Sequence, residues 1–285
     1  MKLQIINQKL LAKRRAQTRV SSLAALKDNQ FLLQNAELDL LDRLTIITRK
    51  FETAVHIGGY NGSFVKLLRS NKIAENCFNI ENSGPAADVI ADNEILPLKA
   101  QSVNLITSSL SLQYINDLPG LLAQIKRALK PDGLFAANLI GGASLHELRE
   151  SLLIAETELT GGATPRVLPF IDVQQMGSLL QRAGFALPVV DMDSLTVRYD
   201  HIFDVIKDLR AMGATNCLHQ SKNTAKLTRK IIARAAEIYQ QKFSHQDGRI
   251  TAQFDIINVI GWAPHESQQK PLKPGSAEHN LADFL

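Results

Sequence analysis

The chain has 285 residues, 45% hydrophobic and 21% charged, the make-up of an ordinary globular protein with room for one large domain and additions. Its net charge of +4 is gathered at one end, where Lys2, Lys9, Lys13, Arg14, Arg15, Arg19 and Lys27 precede the first carboxylate, Asp28. No apolar run approaches the ~20 residues of a membrane-spanning helix, which leaves only peripheral membrane contact open, and the near-neutral remainder gives nucleic-acid binding little support.

The basic opening reads as a helix laying its apolar residues on the domain, as an arm for an acidic partner, or as a transit-peptide-like segment. Leu26 to Phe51 carries a broad apolar stripe at helical spacing, from Leu32 to Ile46. The period then changes. Thr53 to Ile57 is β-like and ends in Gly58-Gly59, and Ser63 to Leu68 begins a helix: the first half of a βαβ unit. Strands are expected at Cys77–Ile80, Asp88–Ala91, Val103–Ser109 and Leu134–Ile140, with a helix over Leu118–Leu129 and a turn at Lys130–Gly133.

After Gly141 the pattern is mainly helical, with helices expected over Leu145–Leu159, Asp172–Ala183, His201–Met212 and Asn223–Phe243. Short strands are expected at Leu187–Asp191, Leu195–Val197 and Phe254–Ile260, and a loosely held tail from Pro264. The fold class is therefore α/β: a doubly wound, mostly parallel sheet with added helices. The expected layout is a basic segment and helix (1–50), a cofactor-binding core (51–142), helical substrate-side additions with the final strands of the same domain (143–262), and a tail (263–285).

A glycine turn between the first strand and first helix is where an open parallel sheet receives nucleotide-like ligands. Here it is His56-Ile57-Gly58-Gly59-Tyr60-Asn61-Gly62. Glu81 stands just past the second strand, where an acid accepts hydrogen bonds from a ribose diol, and Asp92 follows the third strand, within reach of an adenine amino group. The turn lacks the G-x-G-x-x-G spacing of a dinucleotide site, which favours S-adenosylmethionine. Gln113-Tyr114 lies beyond the fourth strand, and His146, Glu147 and Arg149 open the helix after the fifth, both on the side where substrates sit. The two cysteines, Cys77 and Cys217, show no metal-ligand spacing, which fits a reduced intracellular protein; no metal site and no catalytic residue is assigned.

These segments, with Leu96-Pro97-Leu98, Ser108 to Tyr114, Asn116 to Pro119 and Leu129 to Gly133, run in the order of a class I S-adenosylmethionine-dependent methyltransferase. The chain resembles more closely the methyltransferase-like assembly factors of respiratory complex I. The resemblance is carried by Leu145–Arg149, Ala155–Glu158, Gly161-Gly162, Leu180–Phe185, Asp208–Asn216 and Ile260–Gln268. It implies an S-adenosylmethionine-binding enzyme that modifies a protein, a complex I subunit, by arginine hydroxylation or methylation, in a bacterial cytoplasm or a mitochondrial matrix. Cofactor contacts carried over are His56, Gly58, Gly59, Tyr60, Gly62, Glu81, Asp92 and Ser109. The alternatives are an O-methyltransferase of a small molecule or carrier-bound acid, and a non-catalytic assembly chaperone.

Two positions depart from the family pattern. His56 stands where an acid holds the cofactor's ammonium group, and Tyr60 where the middle glycine belongs. A lost charge-assisted hydrogen bond costs about 1.5–3 kcal/mol, so weakened cofactor binding is expected, with Gly59 restoring loop flexibility one position early.

Overall fold

The computed structural model describes residues 4–21, 30–59, 61–82, 84, 86–219 and 226–269. Seven strands form one sheet: β1 (Phe51–Ile57), β2 (Ala74–Glu81), β3 (Val89–Ile90), β4 (Val103–Ser109), β5 (Leu129–Gly141), β6 (Ala186–Tyr199) and β7 (Ile250–Trp262). Their spatial order is β3-β2-β1-β4-β5-β7-β6. The first five are parallel; β7 runs antiparallel to β5, and β6 antiparallel to β7. The chain winds outward from β1 in one direction through β2 and β3, then returns to β4 on its other side. That reversal opens a crevice beyond the carboxyl end of β1, the place such sheets bind ligands.

Alternation along the strands builds two apolar layers. On one face Val55, Ile57 and Ile106 meet helices α4 (Leu118–Ala128) and α6 (Val173–Ala183) through Leu121, Ile125, Met176 and Leu180. On the other, Ala54 and Leu105 meet α2 (Phe31–Thr45) and α3 (Ser63–Ser70) through Leu40, Leu44, Phe64 and Leu68. A third cluster joins α5 (His146–Thr160), α7 (Ile202–Ala211) and α8 (Arg229–Phe243) to β7 through Leu152, Val205, Tyr239 and Phe254. Asp172 caps α6 with a reciprocal capping box, and Gly184, at φ +82°, stops it.

Over its described residues, 4–21, the basic opening packs on the domain, mainly as a helix. Helix α1 (Gln8–Ser21) is anchored by Asn7, whose N–H donates to the Cys217 carbonyl at 2.8 Å, and by an antiparallel bridge between Ile6 and Leu218. Leu11 is 1% exposed and Arg15 is 4% exposed, its guanidinium lying 5.0 Å from the Tyr114 ring centre. Tyr114 packs in this same cluster with Cys217 and Leu168.

Several expected boundaries move. The helix expected from Leu26 spans Phe31–Thr45, because the β-branched run Ile46-Ile47-Thr48 disfavours helix and leads into β1; residues 26–29 lie outside the described set. The strands expected at Leu187–Asp191 and Leu195–Val197 are one continuous β6, since Asp193 and Ser194 between them are satisfied by Asn258 and Asp255 of β7 and by Arg43 of α2. The turn at Lys130–Gly133 is folded into β5 as an irregularity with Asp132 at φ +60°. Helix α8 starts at its Thr228 cap, later than Asn223; residues 220–225 lie outside the described set. The tail is tied down as far as Gln268, which donates to Asp132 and to the Ala263 carbonyl; residues 270–285 lie outside.

If α1 is part of the fold, Leu11→Ala removes a buried anchor and costs about 2–5 kcal/mol. Amide exchange should then speed up over residues 8–17 before the sheet is affected; unchanged protection there would contradict this packing.

Candidate functional site

Strand β1 carries His56 fully buried to the mouth of the crevice. Its Nδ1 lies 2.8 Å from Thr107 Oγ1 on β4, and its ring leans on Phe64 of α3 with centres 5.0 Å apart. Nε2 has no hydrogen-bond partner among the described residues. Burial lowers the imidazole pKa to about 3, so the ring is neutral across the physiological range.

The turn beyond it needs its glycines for different reasons. Gly58 (φ +82°) and Gly62 (φ +68°) occupy left-handed backbone, whereas Gly59 does not. A Cβ on Gly59 would sit 2.4 Å from both Cδ2 and Nε2 of His56. Gly59 therefore makes room for the histidine, which corrects the expectation that it restores loop flexibility. A Cβ on Gly58 would sit 2.1 Å from Ser111 Oγ, and one on Gly62 3.1 Å from the Ala86 side chain. Tyr60 lies outside the described residues.

The other expected contacts sit at neighbouring strand ends. Glu81 closes β2 and is fully buried; Ser109 closes β4, 2% exposed, with no hydrogen-bond partner for its hydroxyl among the described residues. Asp92 follows β3 and is exposed, its Oδ1 accepting the Glu94 N–H at 2.9 Å, a turn-stabilising bond. Beside Ser109 in register stands Asn138 of β5, fully buried. Its amide donates to the Ala36 carbonyl at 2.7 Å, and its Oδ1 accepts the Leu110 N–H at 3.1 Å. Asn138 thus pins α2 across the strand ends.

That crossing brings in a residue sequence reasoning missed. Glu37 of α2 is 2% exposed and accepts the Ser63 hydroxyl at 2.6 Å, at the first residue of α3. Burial raises its pKa to about 7, against the Ser63 hydrogen bond, which lowers it. Asn61 joins the group, 2.6 Å from Ser63 Oγ and donating to Gln30 Oε1 at 3.0 Å. Glu37 sits between apolar helix positions, and no local pattern announces that a helix preceding the first strand crosses over the glycine turn.

On the other side of α2, beyond β4 and β5, lies a cavity of about 710 Å3. Leu32, Leu33, Ile140, Leu148 and Phe170 contribute apolar wall. Arg14, Arg15, Arg166, Arg210 and Lys226 contribute cations, and no carboxylate lines it among the described residues. Leu110 (φ +42°) and Leu145 (φ +54°), both in the wall, hold left-handed backbone that costs a leucine on the order of 1–3 kcal/mol. Gln113 and Tyr114 line it, Tyr114 also packing with Cys217 and Leu168. His146, Glu147 and Arg149 do not: Leu148 and Leu152 of α5 face the cavity, while Glu147 accepts the Gln253 N–H and Arg149 reaches the Leu168 carbonyl. Glu156 is bound by buried Arg166, and Glu158 by Arg234.

Comparison with known proteins matches residues 29–188, more than half of the chain, to a family model described as a methyltransferase domain. Relatives extend further. The protein named arginine-hydroxylase NDUFAF5, mitochondrial, of Danio rerio is 39% identical over 283 residues, covering 95% of this chain and 87% of that protein. The chain belongs to this methyltransferase-fold enzyme family. The Homo sapiens member is 39% identical, covering 89% of this chain and 76% of its own length. A malonyl-[acyl-carrier protein] O-methyltransferase of Xylella fastidiosa is 34% identical but reaches only 63% of this chain and 58% of its own. Among solved structures, a putative methyltransferase from Bacillus halodurans superposes with a TM-score of 0.54 at 14% identity, covering 79% of this chain and 99% of that one, which confirms the fold.

Two measurements check this geometry. Gly59→Ala forces the His56 ring to move and should lower stability by about 1–3 kcal/mol. In a His56→Ala background the same change should cost far less, a coupling read from a double-mutant cycle. Glu37 supplies the second test. Folded Glu37 keeps its proton up to about 7, whereas its ordinary value is 4.5, so the native state binds the extra proton and stability falls as pH rises through that window. Urea midpoints should show this slope, and Glu37→Gln should flatten it.

Proposed function

We propose that this chain is an S-adenosylmethionine-binding enzyme that hydroxylates an arginine of a complex I subunit during assembly, with a separate two-electron oxidant as the source of the inserted oxygen atom. The observation that carries the reading is that residues beyond the matched methyltransferase domain share a cavity with the start of α5. Leu145 just before α5 and Leu148 within it, with Arg210 at the end of α7 and Met212, Thr215 and Asn216 beyond, meet around one cavity beside the strand ends. Those segments lie within the span shared with the relatives named arginine-hydroxylase, and the carrier-protein methyltransferase match covers less of the chain.

The strand ends fit the proposed cofactor in most respects. Gly58, Gly62 and the start of α3, which has no side-chain cap, suit a close ligand approach. Buried Glu81 suits the ribose, Ser109 offers a buried hydroxyl with no hydrogen-bond partner among the described residues, and exposed Asp92 after β3 suits an adenine amino group. His56 is the misfit, because a neutral ring offers no charge to an ammonium group. When bound, S-adenosylmethionine supplies a sulfonium cation bearing a transferable methyl group. The chain's own cations serve the protein partner: a wall with Arg14, Arg210 and Lys226 suits an acidic stretch flanking the target arginine. In this reading the enzyme works in the bacterial cytoplasm or the mitochondrial matrix; no described helix is long and apolar enough to cross a membrane.

Mass spectrometry of complex I subunits from cells lacking the gene tests the reaction. An arginine that loses one oxygen atom relative to wild type is the expected result. Loss of a methyl group from that arginine would make the enzyme a methyltransferase, and unchanged, fully assembled complex I would overturn the reading. Lys226→Glu, at the cavity wall, should weaken capture of the target subunit severalfold, more at low salt than at high.

A further inference from the structure

We infer that Glu37 is the residue that holds the ammonium group of the cofactor's methionine, so that this contact comes from α2 rather than from the end of β1. The inference rests on the proposed S-adenosylmethionine site. That ligand carries an ammonium and a sulfonium, and a water-poor pocket that accepts it needs a carboxylate in reach of the amino-acid end.

The acids at the strand ends are distributed unevenly. Glu81 closes β2 and Asp92 follows β3, on one side of the glycine turn. At the end of β1, His56 is fully buried and neutral, with Nδ1 on Thr107, the ring against Phe64 and the backbone of Gly59, and Nε2, without a partner among the described residues, offering an ammonium no charge. On the α3 side of the turn the buried carboxylate is Glu37, bonded to Ser63 and one step from Asn61.

Glu37 itself lacks an internal explanation. Buried carboxylates are normally paired with a cation or several donors. Among the described residues Glu37 has one hydrogen bond, from Ser63 to Oε1, no ion pair, and none to Oε2. The groups around it are uncharged: Ser63 and Asn61 at the start of α3, with Gln30 behind them. Its raised pKa has burial as its main cause, with no charged neighbour contributing. A cation arriving with the ligand supplies the missing partner. An ammonium bound there also drives off the proton that Glu37 holds in part near neutral pH.

The test is calorimetry on the full chain, comparing wild type with Glu37→Gln. Two probes are used: S-adenosylmethionine, and 5′-methylthioadenosine, which keeps the nucleoside and lacks the amino-acid end. Glu37→Gln should weaken S-adenosylmethionine about tenfold to a hundredfold and leave 5′-methylthioadenosine unchanged. Titrations in two buffers of different ionisation heat should show proton release near neutral pH for wild type binding S-adenosylmethionine, and none for Glu37→Gln. Equal S-adenosylmethionine affinity in both proteins would overturn the assignment. Equal weakening of both probes would also overturn it, by showing only a structural role. Failure of wild type to bind S-adenosylmethionine would overturn the cofactor site itself, a result separable from either.

Discussion

The ring of His56 fills the space that any side chain at residue 59 would need, with a Cβ there only 2.4 Å from two ring atoms. The shape of the glycine turn depends on that contact. A buried neutral imidazole, held by Thr107 and Phe64, replaces charge with volume at the head of the crevice, and Gly59 is the matching concession in the backbone. The pair is one structural unit, so the substitution at the end of β1 is built into the loop rather than being damage to it. Charge needed at the amino-acid end of a ligand then has to come from another element.

The surrounding architecture makes another source available. Asn138 ties α2 over the ends of β4 and β5, and the same helix turns Glu37 toward the start of α3 and Leu32 and Leu33 toward the cavity. One helix therefore separates the two halves of the site while contributing to both. The left-handed leucines at 110 and 145 mark the cavity as a place where the fold accepts local strain, each at a point where the chain leaves the sheet or enters α5. The basic α1 helix closes the same region through Arg14 and Arg15, which gives the uneven charge of the sequence a location.

Much of this was legible in the sequence, because strand and helix periods are local properties. The parallel core, the glycine turn and Val103–Ser109 follow from short apolar runs and punctuating glycines. β6 was harder, since Asp193 and Ser194 interrupt its apolar pattern and are satisfied only by β7 and α2, far away in the chain. The position of Glu81 could be read because strand order fixes it. The role of Gly59 could not, since it depends on where the His56 ring points. Glu37 left no signal at all: a glutamate in an amphipathic helix reads as solvated until the helix is seen to cross the turn.

In the proposed site the crevice beyond β1 binds S-adenosylmethionine with Glu37, and not His56, facing its ammonium group. A crystal structure of the full chain with S-adenosylhomocysteine, which keeps that amino group, tests it most directly. The nitrogen should lie within hydrogen-bond distance of the Glu37 carboxylate, with the His56 ring unmoved. An ammonium group seated on His56, or on solvent with Glu37 still bonded to Ser63 alone, would contradict it.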